Sequence, residues 1–336
     1  MLEHGELHLQ QKYGVATDVQ GYRLSEMFKV NPARLRVGQV MCSKLSGAGR
    51  TVEHPVVLIP GIISSGLEVW QGKPCARSTH FRRRFWGTSS MLEKLATDRA
   101  CWLEHMKLNE TTWDDPDDIH LRASSGFGAA DYFMTGYYLW GPLIENMADC
   151  GYDETSMHLA AYDWRLPFDK LEERDGFFSG LKSRIEVMRR VQNRKKGGSA
   201  KVMVVSHSMG TPVWLYFMQW VEAQDPGWVD REVGTWVNLA GSLLGAPKAL
   251  TSVLSAEMRD TAIIEGTIAG WLKDKAFPRT EMIRFFRSLG SLPSLFPMGG
   301  ERVWGSGERE EDDQFGGRVL SFLEKSEEEE EEEVVV

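Results

Sequence analysis

The sequence predicts an α/β fold, a mostly parallel sheet with helices on both faces. One observation is a set of strand-like segments at residues 55–59, 157–162, 202–205 and 232–239, of which the apolar Val-Met-Val-Val run at 202–205 suits a strand buried on both sides. The other is the helical spacing between them. Leu139, Leu143, Ile144 and Met147 fall on one face of a helix over 137–150, closed by Gly151. Phe177, Leu181, Ile185 and Met188 do the same over 176–194, and a third pattern begins after Gly210. Strands separated by helices of this size pair in parallel and are covered on both faces.

Residues 1–53 are weakly patterned, ending in a Ser/Gly/Arg stretch, and read as an N-terminal extension with one short helix. The core spans 54–248. Its first strand, 55–59, runs into Pro60-Gly61-Ile62-Ile63-Ser64-Ser65-Gly66. Small residues after a strand can aim a backbone amide at a developing oxyanion, and they also make an ordinary Pro-Gly turn. Residues 70–130 are rich in Trp, Arg and Asp and show no clean period, which marks a functional excursion from the core, a lid region. Within it, His80–Trp86 reads HFRRRFW. Three arginines bracketed by aromatics suit acyl chains and anionic headgroups on a lid, or equally a solvated basic face over buried rings.

The stretch KVMVVSHSMGTPVWLYFMQW (201–220) organises the rest. An apolar strand passes through Ser206-His207-Ser208-Met209-Gly210 into a helix, the pattern of a nucleophile elbow in an α/β-hydrolase fold. Ser208 at the apex would expose its hydroxyl above the sheet. Its neighbours two before and two after must be small, because strand and helix nearly touch; Gly210 fits, and Ser206 stands where glycine is usual. The Met209 amide at the new helix terminus is placed to stabilise an oxyanion. All eight histidines lie at or before His207, so none follows Ser208 in the Ser, acid, His order of this fold. His207 itself points away at a tight turn and makes a poor base.

Beyond 248 the pattern turns irregular and helical, including 263–272 and 282–289, a partial cap over 249–305. The tail, 306–336, should be disordered. It carries thirteen Asp or Glu against three Lys or Arg between 308 and 333, so the net charge of −9 resides there and the remainder is close to neutral. With no basic surplus, nucleic acid is excluded as a partner. No run matches a membrane span or a signal core, and the four cysteines (Cys42, Cys75, Cys101, Cys150) are too few for a disulfide scaffold and lack metal spacing. No cofactor or metal is called for. Asn109-Glu110-Thr111 is the one glycosylation sequon, a weak pointer to a lumenal address.

Several collinear segments over roughly 54–305 resemble the lecithin:cholesterol acyltransferase family, most closely its phospholipid:diacylglycerol acyltransferase branch. They are HPVVLIPGI, the Cys75-to-Cys101 segment with Trp86, SSGFGAADYF, AAYDWRL, VVSHSMG, LLGAPKAL with LSAEMRD, and PMGGERVWG. The resemblance implies an α/β-hydrolase fold with a lid and an inserted cap, whose acid and histidine lie in strands beyond this sequence. It implies Ser208 as acyl-enzyme nucleophile, the amides of Ile62 and Met209 as oxyanion hole, and Cys75–Cys101 as the lid disulfide. Trp86, with its neighbour Phe85, would contact substrate. The substrates implied are a phospholipid donor and diacylglycerol at a membrane surface, in the endoplasmic reticulum or another lumenal site. A phospholipase or lipase of the same fold, and a catalytically silent lipid-binding chain, remain open beside transfer.

Overall fold

The four residues Val56–Ile59 are all fully buried, and they show how the molecule is layered. Val57 and Ile59 point into one apolar cluster and Val56 and Leu58 into another on the opposite side. A strand with no solvent face belongs in the middle of a parallel sheet. The computed structural model describes residues 18–19, 22–23, 36–47, 52–76, 81–134, 137–256 and 278–304.

A two-residue hairpin, β1 (Asp18–Val19) and β2 (Tyr22–Arg23), comes first, then α1 (Val37–Gly47). The central sheet contains β3 (Val56–Ile59), β9 (Met157–Leu159), β10 (Val202–His207) and β11 (Val233–Leu239), all parallel, in the order β11-β10-β3-β9. Between β3 and β9 the expected excursion is a built module. A three-stranded antiparallel sheet, β4 (Leu67–Gln71), β5 (Arg84–Trp86) and β6 (His120–Ala123), carries α2 (Ser89–Thr97) and α3 (Arg99–Met106). Its strands are short and charged, so no clean alternation marks them in sequence.

The helix expected over 137–150 starts later. Tyr137–Tyr138 forms β8, paired with β7 (Tyr132–Met134), and α4 (Gly141–Asp149) begins with a proline in its first turn. Proline fits there because the first helical amides have no partner to lose. After β9 come α5 (Phe168–Glu173) and the 20-residue α6 (Phe177–Lys196). Then α7 (Gly210–Gln224) and α8 (Trp228–Glu232) flank β10 and β11. The last elements are α9 (Pro247–Ser255), α10 (Arg279–Arg287), α11 (Ser291–Ser294) and α12 (Glu301–Trp304). The helical pattern at 263–272 and the acidic tail at 306–336 lie outside the described residues.

Helices α6 and α7 cover one face, where Phe178, Leu181, Ile185, Val213, Trp214 and Phe217 join the larger cluster. Helix α4 covers the other through Leu143, Ile144 and Met147. Outside α4 lies α1, bound by the Arg36–Asp149 pair, a Cys42–Cys150 disulfide and a close approach at Gly38, where a Cβ would sit 2.5 Å from the Asn146 carbonyl. All four cysteines are therefore bridged, the second pair being Cys75–Cys101 across the lid module. They do not scaffold the central sheet; one staples α1 to the end of α4, and the other closes the module between β3 and β9 on itself.

Candidate active site

Ser208 follows the last residue of β10 with φ at 51°, in the left-handed region that non-glycine residues rarely occupy. Such strain persists only where the surroundings over-determine it. Here the Ser208 amide donates to the Leu239 carbonyl (3.0 Å) at the end of β11, and the Ser208 carbonyl accepts from Thr211 N (3.0 Å) in α7. The turn is thus pinned to the neighbouring strand on one side and to the helix on the other.

Two glycines allow the crowding this needs. A Cβ on Gly210 would lie 2.5 Å from the carbonyl oxygens of both Ile59 and Pro60, so only glycine lets α7 start against the end of β3. A Cβ on Gly61 would lie 2.9 Å from Ser208 Cβ, so the loop after β3 passes directly beside the serine.

Ser206 explains its own departure from glycine. It is fully buried, and its hydroxyl contacts Thr211 Oγ1 at 2.9 Å while accepting from Trp236 Nε1 at 2.8 Å. Thr211 Oγ1 donates onward to Asn238 Oδ1 (3.1 Å), which also accepts from Gly241 N (2.8 Å). Every proton in this chain has an acceptor, which satisfies the rule that buried polar groups be paired. Thr211, Trp236, Asn238 and Gly241 escaped the sequence reading; a hydroxyl at Ser206 where glycine is usual was the available signal that it needed partners.

The loop carrying Ile62 is clamped from three sides. Tyr162 Oη donates to the Pro60 carbonyl (2.8 Å), Trp164 Nε1 to the Ser65 carbonyl (3.1 Å), and Trp86 Nε1 to the Ile63 carbonyl (2.7 Å). Among the described residues, neither the Ile62 nor the Met209 amide donates to any acceptor, leaving both available to a ligand oxygen. Met209 stands at the N-terminal end of the 15-residue α7, whose dipole adds to that preference.

Trp86 is half-buried against Phe133, Trp164 and Trp102, with ring centroids 5.2, 5.0 and 6.1 Å away. This aromatic cluster is tied to the Ile62–Ser65 loop through Trp86 and Trp164, with Trp164 and Trp102 buried beneath Trp86. Phe85 does not join it: the side chain is fully buried, packed on His105 at 5.2 Å. Successive residues of a strand face opposite ways, so Trp86 and Phe85 cannot share one surface. Cys75–Cys101 and His105 cluster, but both sulfurs are in the disulfide, leaving no thiolate for a metal. His105 is held below its ordinary pKa by burial.

No histidine or carboxylate bonds Ser208 Oγ among the described residues. His207 is turned edge-on to Trp140 at 6.2 Å. What these residues assemble is a strained, supported hydroxyl beside two open amides and an aromatic wall.

Beneath the lid module lies a second polar system. Arg165, fully buried, donates to Asp163 (2.9 and 2.6 Å) and Asp115 (2.8 Å), and Arg174 to Asp163 (2.7 Å) and Asp175 (2.8 Å). Burial alone would raise Asp163, yet the two guanidiniums hold it well below the usual carboxylate range. The group fastens the loop after β9 to residues 115 and 122, since Arg122 also reaches Asp115.

The family model for lecithin:cholesterol acyltransferase matches residues 80–320. The phospholipid:diacylglycerol acyltransferase of Schizosaccharomyces pombe is 41% identical over 313 residues, 88% of this chain and 48% of that protein. The Saccharomyces cerevisiae protein of the same name is 40% identical over 271 residues, 78% of this chain and 40% of that protein. More distant is the bovine lysosomal phospholipase A and acyltransferase, 29% identical over 231 residues, 62% of this chain and 52% of that protein. The chain spans about half the length of the curated relatives it matches.

Proposed function

Since the chain belongs to the lecithin:cholesterol acyltransferase family, we propose that it supplies the nucleophile and oxyanion-binding part of a phospholipid:diacylglycerol O-acyltransferase. The observation that carries this is the strained Ser208 held between β10 and α7 beside the unbonded amides of Ile62 and Met209.

In the proposed reaction Ser208 Oγ attacks the sn-2 ester carbonyl of a phospholipid while its proton passes to a base. The carbonyl oxygen gains the charge and accepts hydrogen bonds from the two amides. Collapse breaks the ester bond, the lysophospholipid oxygen takes the proton, and the acyl group stays on Ser208. The hydroxyl of diacylglycerol then attacks the acyl-serine, giving triacylglycerol and the free serine. Transfer wins over hydrolysis where apolar walls exclude water, and the Trp86, Phe133, Trp164 cluster is such a wall. Every histidine of these 336 residues precedes Ser208, so none stands in the Ser, acid, His order of this fold.

Two disulfides fit an oxidising compartment, and Asn109 of the sequon is exposed in a turn where its Oδ1 accepts from Thr111 N at 2.9 Å. Both support a lumenal address. No described helix is long and apolar enough to cross a membrane. Contact with a membrane surface is supported by the lid module, where Trp70 and Phe81 are exposed and Arg82 sits 5.1 Å over the Trp70 ring.

Treatment with a fluorophosphonate followed by peptide mapping should place the adduct on Ser208 and lose it in Ser208→Ala. An adduct that survives the substitution overturns the assignment. A wild-type chain that binds phospholipid yet takes no adduct favours the silent lipid-binding reading instead.

A further inference from the structure

Four cations gather where α6 ends. Arg190, Arg194 and Lys195 are exposed on its last turns. Lys201 follows across a turn that the Asn193 side chain closes by accepting from Ala200 N (2.7 Å) and donating to Ala200 O (3.3 Å). Arg190 and Arg194 stand four residues apart and so share one face of the helix.

Among the described residues none of the four forms an ion pair, whereas Lys182 and Arg189 on the same helix are paired to Glu186 and Glu232. Arg190 and Lys201 each donate to a backbone carbonyl, of Glu186 and Asp230, and Lys195 donates to Thr155 Oγ1 (3.2 Å). The Asp153 carboxylate, within electrostatic range of Lys195, is taken up by Thr155 N (2.8 Å) and Thr155 Oγ1 (2.6 Å). The negative end of the α6 dipole favours cations in the last turn only, and Arg190 lies before that turn. Convergent cations without answering acids make a positive patch suited to a polyanion.

The chain itself carries one. Glu327–Glu333 are seven consecutive glutamates. Residues 305–326 join Trp304, the last described residue, to that run. Extended, they span about 70–80 Å, against a length of about 30 Å for α6. Tethering on that scale gives the run an effective concentration of about a millimolar, where surface pairs that are each weak suffice together. Docking there leaves the elbow open. The patch stands at the start of β10 and Ser208 beyond its end, about 20 Å along the strand.

We infer that Arg190, Arg194, Lys195 and Lys201 form an intramolecular docking surface for the glutamate run Glu327–Glu333. The inference stands independently of the role of Ser208.

The test is zero-length carbodiimide crosslinking of the whole chain, followed by peptide mapping. At about 0.01 M salt, where the Debye length is about 30 Å, Glu327–Glu333 should couple to Lys195 or Lys201 in preference to Lys44, which is exposed on α1. The yield should fall roughly tenfold at about 1 M salt, where that length is about 3 Å. It should fall several-fold in the double variant Arg190→Gln, Arg194→Gln, which keeps both lysines. Both arginines are exposed, so the variant should melt with wild type, and the salt arm needs no variant. Absence of the crosslink, equal coupling to Lys44, or a yield unmoved by salt and by the substitutions would overturn the inference. Mixed-isotope crosslinks from a blend of labelled and unlabelled chain would also overturn it, placing the run on a second copy. Vesicles of phosphatidylglycerol and phosphatidylcholine that bind wild type but not the variant, with no tail crosslink formed, would assign the patch to a lipid surface instead.

Discussion

Two polar systems hold the candidate site, and they are built on opposite plans. Under Ser208, the Trp236–Ser206–Thr211–Asn238 chain is neutral, drawn from adjacent elements, and satisfied without a charge. Under the lid module, Asp163, Arg165, Arg174 and Asp115 are ionised, largely buried, and drawn from segments up to 59 residues apart. The neutral chain sets a geometry between parts that are already neighbours. The ionic group joins parts that would not otherwise meet. Buried ion pairs repay their desolvation poorly, yet losing one partner strands the rest.

That contrast orders the expected effects. Arg165→Met should be the most damaging change, about 3–5 kcal/mol, because it removes the fully buried cation that bonds Asp115 at 2.8 Å and makes two of the three guanidinium bonds to Asp163. A urea midpoint within error of wild type would break the comparison. Next is Gly210→Ala, whose Cβ meets two carbonyls at 2.5 Å. Overpacking costs about 1–3 kcal/mol, and because the strain falls on the elbow, adduct formation at Ser208 should drop more than the melting temperature does. Equal losses would remove its link to the site.

Ser206→Gly restores the residue usual in such elbows and should still destabilise, by roughly 1–2 kcal/mol, since it orphans Trp236 Nε1 and frees backbone. Stabilisation would show that the neutral chain does not matter. Asp163→Asn sharpens the ionic side through pH. The folded pKa of Asp163 is depressed, so its contribution is present above the unfolded value of about 3.9 and is lost as pH falls through the folded one. Wild type should therefore lose stability below about pH 4 more steeply than Asp163→Asn, which starts lower and titrates less. Parallel curves in acid denaturation would argue that Asp163 carries no such linkage.

The elbow was legible in the sequence; apart from Ser206, neither the neutral chain beneath it nor the ionic group was. Ser208, Gly210 and the strands β3 and β10 announce themselves because buried parallel strands are apolar runs and the elbow has a fixed spacing, whereas the edge strand β11 is partly exposed along its whole length. The lid module hides because its strands are three to five residues long and end in charges whose partners are distant, as Arg122 is to Asp175. Phe85 and Trp86 are adjacent in HFRRRFW, yet strand alternation sends one into the core and the other to the aromatic wall. The Cys42–Cys150 bridge spans 108 residues and joins two elements with no shared pattern, so no local signal could pair them.

The central position of β3 also has a consequence for the chain's birth on the ribosome. Its Val-Val-Leu-Ile run is synthesised before either neighbour, β9 beginning roughly 100 residues later and β10 roughly 140. At about 5–20 residues per second, those partners emerge roughly 5–20 s and 7–30 s after it. Throughout that interval the most apolar strand of the sheet lacks both of its partners.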